Sequence, residues 1–200
     1  MFKLPDGIQV NDLSGIAEAY CEFKPNNGTY LFKINISCEN IADYFTYLMT
    51  QIGQPGFFLV ELPLTEQEEL KLRKEKTDPF HKNIYYLDGI SVDRAEEIFN
   101  QYQRLFIHDG MVNFGYGTQT DEVFVGSYKI FSVFTRSPEK IRKAMTNLNI
   151  ESRDKLQTIW DNLSKDSPGT RFSLDEKPST RDMIEELKQA GFYLAETRED

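Results

Sequence analysis

The chain has 200 residues, of which 40% are hydrophobic, 28% charged and 13% aromatic, a composition that excludes a disordered chain. Its formal net charge of −9 argues against direct binding of a phosphate backbone. No apolar run approaches the roughly eighteen residues of a membrane span.

The N-terminal stretch MFKLPDGIQVNDLSG lacks the apolar centre of a secretory signal, so a cytoplasmic protein is expected. Next comes the turn signal Pro25-Asn26-Asn27-Gly28 and then a strand in which Tyr30, Phe32, Ile34 and Ile36 alternate with Leu31, Lys33 and Asn35. Residues 39–53 place Ile41, Tyr44, Phe45, Leu48, Met49 and Ile52 at helical spacing, with Ser37 or Asn40 as cap and Gly53 as stop. GQPG then turns into a second strand, FFLVELPL. Thr65 and Glu68 form a capping-box pattern that starts a polar helix with acids first and bases last.

NIYYLDGI reads as a strand. SVDRAEEIFNQYQRLFIHDG reads as one helix with Val92, Ala95, Ile98, Phe99, Tyr102 and Leu105 on one face, ended by Asp109-Gly110. Three apolar segments follow, Met111 to Tyr116, Glu122 to Val125 and Tyr128 to Phe134. Gly115, Gly117 and Gly126 are expected at turns or bulges between them. A helix starting at Ser137-Pro138 comes next. LQTIWDNLSKDSPGTRF can form a short strand and turn or a helix, and a capped helix from Ser179 stops at Gly191 before a last strand or tail. The expected fold is one α+β domain over residues 1–200, a mainly antiparallel sheet with helices on one face. The alternative is a subdomain boundary at 75–79.

The glycines of FGYGTQTDEVFVGSYKIF invite comparison with a dinucleotide loop, which needs GxGxxG between a strand and a helix. Gly115 and Gly117 are spaced for it, but residue 120 is Thr, Asp121 and Glu122 would repel phosphate, and strand-forming residues follow. The sheet reading is preferred, and no cofactor is expected. Two cysteines, Cys21 and Cys38, are too few for a disulfide framework and read as reduced thiols. His81 in DPFHKN reads as a loop residue. Neither it nor His108 has a partner at metal-ligand spacing, so no zinc site is expected, and counting leaves carboxylate sites for harder ions open. His108-Asp109 is adjacent in sequence but sits where side chains diverge, so no catalytic residue is assigned.

Charge is distributed unevenly. Residues 1–70 carry ten acids and three bases, whereas the rest carry 22 acids and 20 bases. Such a field suits a basic partner, and it also serves solubility. The candidate partner contacts are Glu66, Glu68 and Glu69 on the polar helix, and Tyr116, Asp121, Glu122 and Tyr128 in the sheet segment, where aromatic residues suit an interface. Trp160 is either a core anchor or an interface residue.

The order DEVFVGSYKIFSVFT followed by TIWDNLSKDSPG, within residues 109–169, resembles small immunity proteins of bacterial polymorphic-toxin systems. That resemblance implies a protein without chemistry of its own, which neutralises a cognate toxin domain by binding and occluding it. The acidic N-terminal third would suit a basic toxin such as a nuclease. The alternative is a small enzyme or ligand-binding domain whose site is assembled from distant residues around His108, Asp109 or Cys38.

Overall fold

Alternation of apolar residues with period 2 requires a sheet with two chemically distinct faces. The computed structural model describes residues 2–24 and 27–199, so Pro25 and Asn26 of the expected turn lie outside the described residues. In chain order the elements are β1 (Ile8–Gln9), β2 (Ala19–Phe23), β3 (Tyr30–Asn35), α1 (Ile41–Ile52), β4 (Gly56–Pro63), α2 (Glu66–Leu72) and β5 (His81–Ile90). They continue with α3 (Val92–Gln101), α4 (Gln103–His108), β6 (Asn113–Gly117), β7 (Glu122–Val125), β8 (Phe131–Thr135) and α5 (Pro138–Asn147). The last are β9 (Glu151–Ser152), α6 (Ile159–Asn162), β10 (Thr170–Arg171), α7 (Thr180–Gln189) and β11 (Tyr193–Glu199).

The fold is α+β. Among the described residues nine strands form one sheet in the order β11-β5-β4-β6-β7-β8-β3-β2-β9, and β1 pairs with β10 separately. Every contact in the large sheet is antiparallel except the two-residue pairing of β2 with β9. The sheet carries strands from both sides of residues 75–79.

One sheet face is packed against helices. Phe58 of β4 and Phe114 of β6 meet Phe45 of α1, Phe99 of α3 and Phe106 of α4, all five fully buried. The Phe45 ring lies 4.9 Å from Phe114 and 5.0 Å from Phe99, centroid to centroid. Edge-on and tilted pairs at such separations add to the area they bury. Val123, Val125, Phe131 and Val133 extend this layer along β7 and β8, and Met183, Ile184 and Leu187 of α7 complete it.

The segment 91–108, expected as a single helix, breaks at Tyr102 (φ −120, ψ 22). In a straight helix residues 99 and 106 would sit about 10 Å apart along the axis. The break brings their rings to 5.9 Å in a stacked pair, so core packing overrides helical continuity. Tyr102 is held there by its hydroxyl, which donates to Glu186 of α7 at 2.5 Å.

Tyr128 to Ile130, expected in a strand, instead precede β8 in a tight turn, with Tyr128 and Lys129 both left-handed (φ 57 and 56). The turn directs the Lys129 ammonium inward to the carbonyl of Val112, with Asp109 nearby. Residues 157–171 contain the one-turn helix α6 with a Thr158–Asp161 capping box, and then β10. Among the expected caps, Thr65 makes its capping box with Glu68 and Ser179 makes one with Asp182, whereas Ser37, Asn40 and Ser137 make no side-chain cap bond.

Backbone hydrogen bonds help to knit the N-terminal segment to distant parts of the chain. Gly7 N donates to the His108 carbonyl at 2.8 Å, Gly110 N to the Phe172 carbonyl at 3.1 Å, and Phe172 N to the Gly7 carbonyl at 3.0 Å. A Cβ on Gly110 would come within 2.0 Å of the Gly7 carbonyl oxygen, so only glycine permits this approach.

Two outcomes test this packing. Phe45→Ala should cost about 3–5 kcal/mol, read from denaturant midpoints, because a cavity replaces a ring packed on those of Phe58, Phe99 and Phe114. Burial pushes the Lys129 ammonium down to about 7, with Arg171 reinforcing the shift and Asp109 opposing it. Between that value and the ordinary 10.5 the unfolded chain binds a proton that the folded chain does not, so stability should rise with pH across this window. Lys129→Met should flatten that rise in urea midpoints measured from pH about 7 to about 10.

Candidate binding face

The sheet's second face lies opposite the helices, and the register specifies its composition. Alternate residues of neighbouring strands form one row, Phe57–Gly117–Glu122–Phe134–Leu31–Phe23. The adjacent row reads Tyr86–Leu59–Gly115–Phe124–Ser132–Lys33–Cys21. Phe23 and Phe134 are 50% and 38% exposed, and Phe57, Tyr86, Phe124 and Leu31 are half-buried. Large apolar side chains contiguous on a sheet face mark a contact surface more than scattered ones do.

Gly115 and Gly117 have a different role from the expected one. They lie within β6, not in turns, and their missing side chains make room for rings on this face. A Cβ at Gly117 would meet the Phe57 ring at 2.6 Å, and one at Gly115 would meet Phe124 at 3.2 Å. The glycines therefore let the aromatic rings lie flat across β6.

Two carboxylates of this face are held differently, one satisfied and one not. Glu61 is buried and held by Asn113 Nδ2 at 3.0 Å, by Lys82 Nζ at 3.1 Å and by Arg198. Glu122 is half-buried in the aromatic row, and no hydrogen bond or ion pair among the described residues engages its carboxyl. Burial raises its pKa above the ordinary carboxylate range, the charge of Glu61 raises it further, and Arg198 only partly offsets both.

The other expected contacts are dispersed. Tyr116 is fully buried on the helix side of β6, where its hydroxyl donates to the Gly53 carbonyl at 2.8 Å, so it presents no surface. Its parity in β6 places it opposite Val123, in the core row. Asp121 is buried and accepts from Thr135, from Lys140 at 3.0 Å and from the Arg136 backbone; these bonds tie β7 to the start of α5. Burial would raise its pKa, but the bonds from Thr135, Lys140 and Thr120 outweigh that and hold it low. Tyr128 is buried, its ring 4.7 Å edge-on from Trp160.

On α2 the three acids differ. Glu68 is taken up by the capping box, Glu69 is buried and bonded to His81, and Glu66 is exposed. Glu66 borders a groove of about 480 Å³ with Leu70, Arg73 and Phe80, and Arg73 lies 4.0 Å over the Phe80 ring. Five acids and four bases in residues 65–80 leave this region close to neutral, so the acidity of the N-terminal third does not gather there.

His81, expected in a loop, is the first residue of β5, with Nδ1 3.0 Å from Glu69. His108 lies 3.3 Å from Asp6, whereas Asp109 is fully buried and accepts from the backbone of Met111 and Leu174 at 2.9 Å each. The two neighbours therefore do not pair with each other. Cys21 and Cys38 are free and buried, and burial pushes both thiols up. Among the described residues no group of three or more His, Cys, Asp or Glu could hold a metal ion, and no helix is long and apolar enough to cross a membrane.

Comparison with protein-family models, curated proteins and solved structures gives no match to this chain.

A carboxylate held above its ordinary pKa makes folding less favourable once it ionises. Below the ordinary carboxylate range that contribution is fully recovered, and it is lost as pH rises through the raised value. Glu122→Gln should therefore be more stable than the native chain at pH 7, and the two should converge below pH about 4, as read from thermal midpoints.

Proposed function

We propose that the chain is a non-catalytic binding protein of the immunity type, which neutralises a bacterial toxin in the cytoplasm by covering it with the open sheet face. The observation that carries this reading is Glu122, a half-buried carboxylate with no ion-pair partner among the described residues, set in a row with half-buried Phe57 and exposed Phe134 and Phe23. A carboxylate that lowers stability is retained where it has a use. A Lys or Arg side chain from a partner would supply the missing counter-charge, and the flanking rings of Phe57 and Phe134 would add cation–π contact. Aromatic anchors around one desolvated charge pair form the usual energetic centre of an interface. A nuclease domain, basic because it must hold a phosphate backbone, has the required chemistry.

Co-expression with the toxin encoded beside its gene provides the test. The native chain should restore growth, and so should Glu185→Lys on the helical side of the molecule. Glu122→Lys combined with Phe134→Asp should abolish protection and weaken the purified complex at least tenfold, with circular dichroism confirming that the variant is folded. Full protection by that double variant would reject the open face as the binding surface.

A further inference from the structure

Where the open face meets the segment around α6, it deepens into a cleft of about 300 Å³. Its floor is the cross-strand pair Lys33 and Ser132, in which Lys33 Nζ donates to Ser132 Oγ at 2.7 Å. Its walls are Phe124, Ile130 and Trp160, and Ser127 stands at one side. Trp160 is 54% exposed and is the only tryptophan in the chain.

Three polar side chains of this cleft, Lys33, Ser127 and Ser132, have an N–H or O–H left to give, whereas Thr158 gives its O–H to Asp161. The Lys33 ammonium uses one of its three N–H groups on Ser132, which keeps its own O–H. Ser127 Oγ accepts from Arg171 Nη1 at 2.8 Å and likewise keeps an O–H to give. Among the described residues no acid lines the cleft and no carboxylate pairs with Lys33. Burial lowers the Lys33 pKa, which is the signature of an ammonium lacking a counter-charge.

We propose that this cleft binds a small organic carboxylate with a flat apolar body, its carboxylate on Lys33 and Ser132 and its body between Trp160 and Phe124. The volume lies at the lower end of small-molecule sites, which run from about 300 to 1,000 Å³. A carboxylate bridging Lys33 Nζ and Ser132 Oγ forms a charge-assisted pair in a partly water-excluded setting. An aromatic ring on the ligand meets the Trp160 face in place of solvent. The site is distinct from the Glu122 row, which has the opposite charge and suits a cation.

Trp160 makes the test direct, because its fluorescence reports on one wall of the cleft alone. Phenylacetate, titrated at neutral pH and constant ionic strength, should give a saturable change. Phenylacetamide, nearly the same shape without the charge, should bind at least tenfold more weakly. Lys33→Met should lose at least tenfold of the phenylacetate affinity, and Ser132→Ala a smaller factor. No saturable change with phenylacetate, equal binding of the amide, or unchanged affinity in a folded Lys33→Met would each overturn the proposal. Should Lys33→Met fail to fold, the comparison of acid and amide on the native chain decides.

Discussion

Five phenylalanine rings between the sheet and its helices set the constraint from which the surface follows. Phe58 and Phe114 must point into that cluster with Phe45, Phe99 and Phe106. A strand has period 2, so this choice commits Phe57 and Leu59 of β4 and Gly115 and Gly117 of β6 to the other face. The ladder transmits the same parity to β7, β8, β3 and β2. The aromatic character of the open face is thus a consequence of the packing on the hidden one. A one-residue slip in any central strand would turn core rings to solvent, which makes the register of this surface robust.

The fold treats its charges in two ways. Glu61, Asp121 and Asp109 are buried with enough donors to satisfy them, and each ties elements together. Glu122 and Lys33 are left incomplete, and they lie in adjacent rows of one face with opposite signs. Incomplete solvation of a charge weakens a fold unless something binds it. The two groups therefore give the open face an electrical polarity across its width, anionic on β7 and cationic on β3. The sheet's long edge is protected differently. β11 is exposed throughout and places Glu196, Arg198 and Glu199 along it, which discourages pairing with another chain.

Much of the fold is legible in the sequence because alternation and helical spacing depend on local side chains. The strands β3, β4 and β5 and the helices α1, α5 and α7 follow from period, caps and stops. The site is less legible. Tyr116 draws attention by residue type, yet its parity with the core residues Phe114 and Val123 places it inside; the same parity points Phe124 and Phe134 outward. That signal was present in DEVFVGSYKIFSVF, once the apolar Val123 and Val125 are taken as the inner row. The pairing of Lys33 with Ser132, 99 residues apart, depends on register across two strands and has no local signature. The break at Tyr102 is equally hidden, because only the tertiary stacking of Phe99 on Phe106 requires it.

The backbone knot of Gly7, His108, Gly110 and Phe172 bears on the order in which the molecule is made. Its contributors come from the beginning, the middle and the last sixth of the chain. During synthesis the first segment cannot complete its bonds until residue 172 has left the ribosome. Contacts of such long sequence separation form slowly, since loop closure comes before any reward. The phenylalanine cluster, by contrast, is complete once residue 114 has emerged. The residues of that hydrophobic centre are thus all available to a nascent chain well before the last residue of the N-terminal strap.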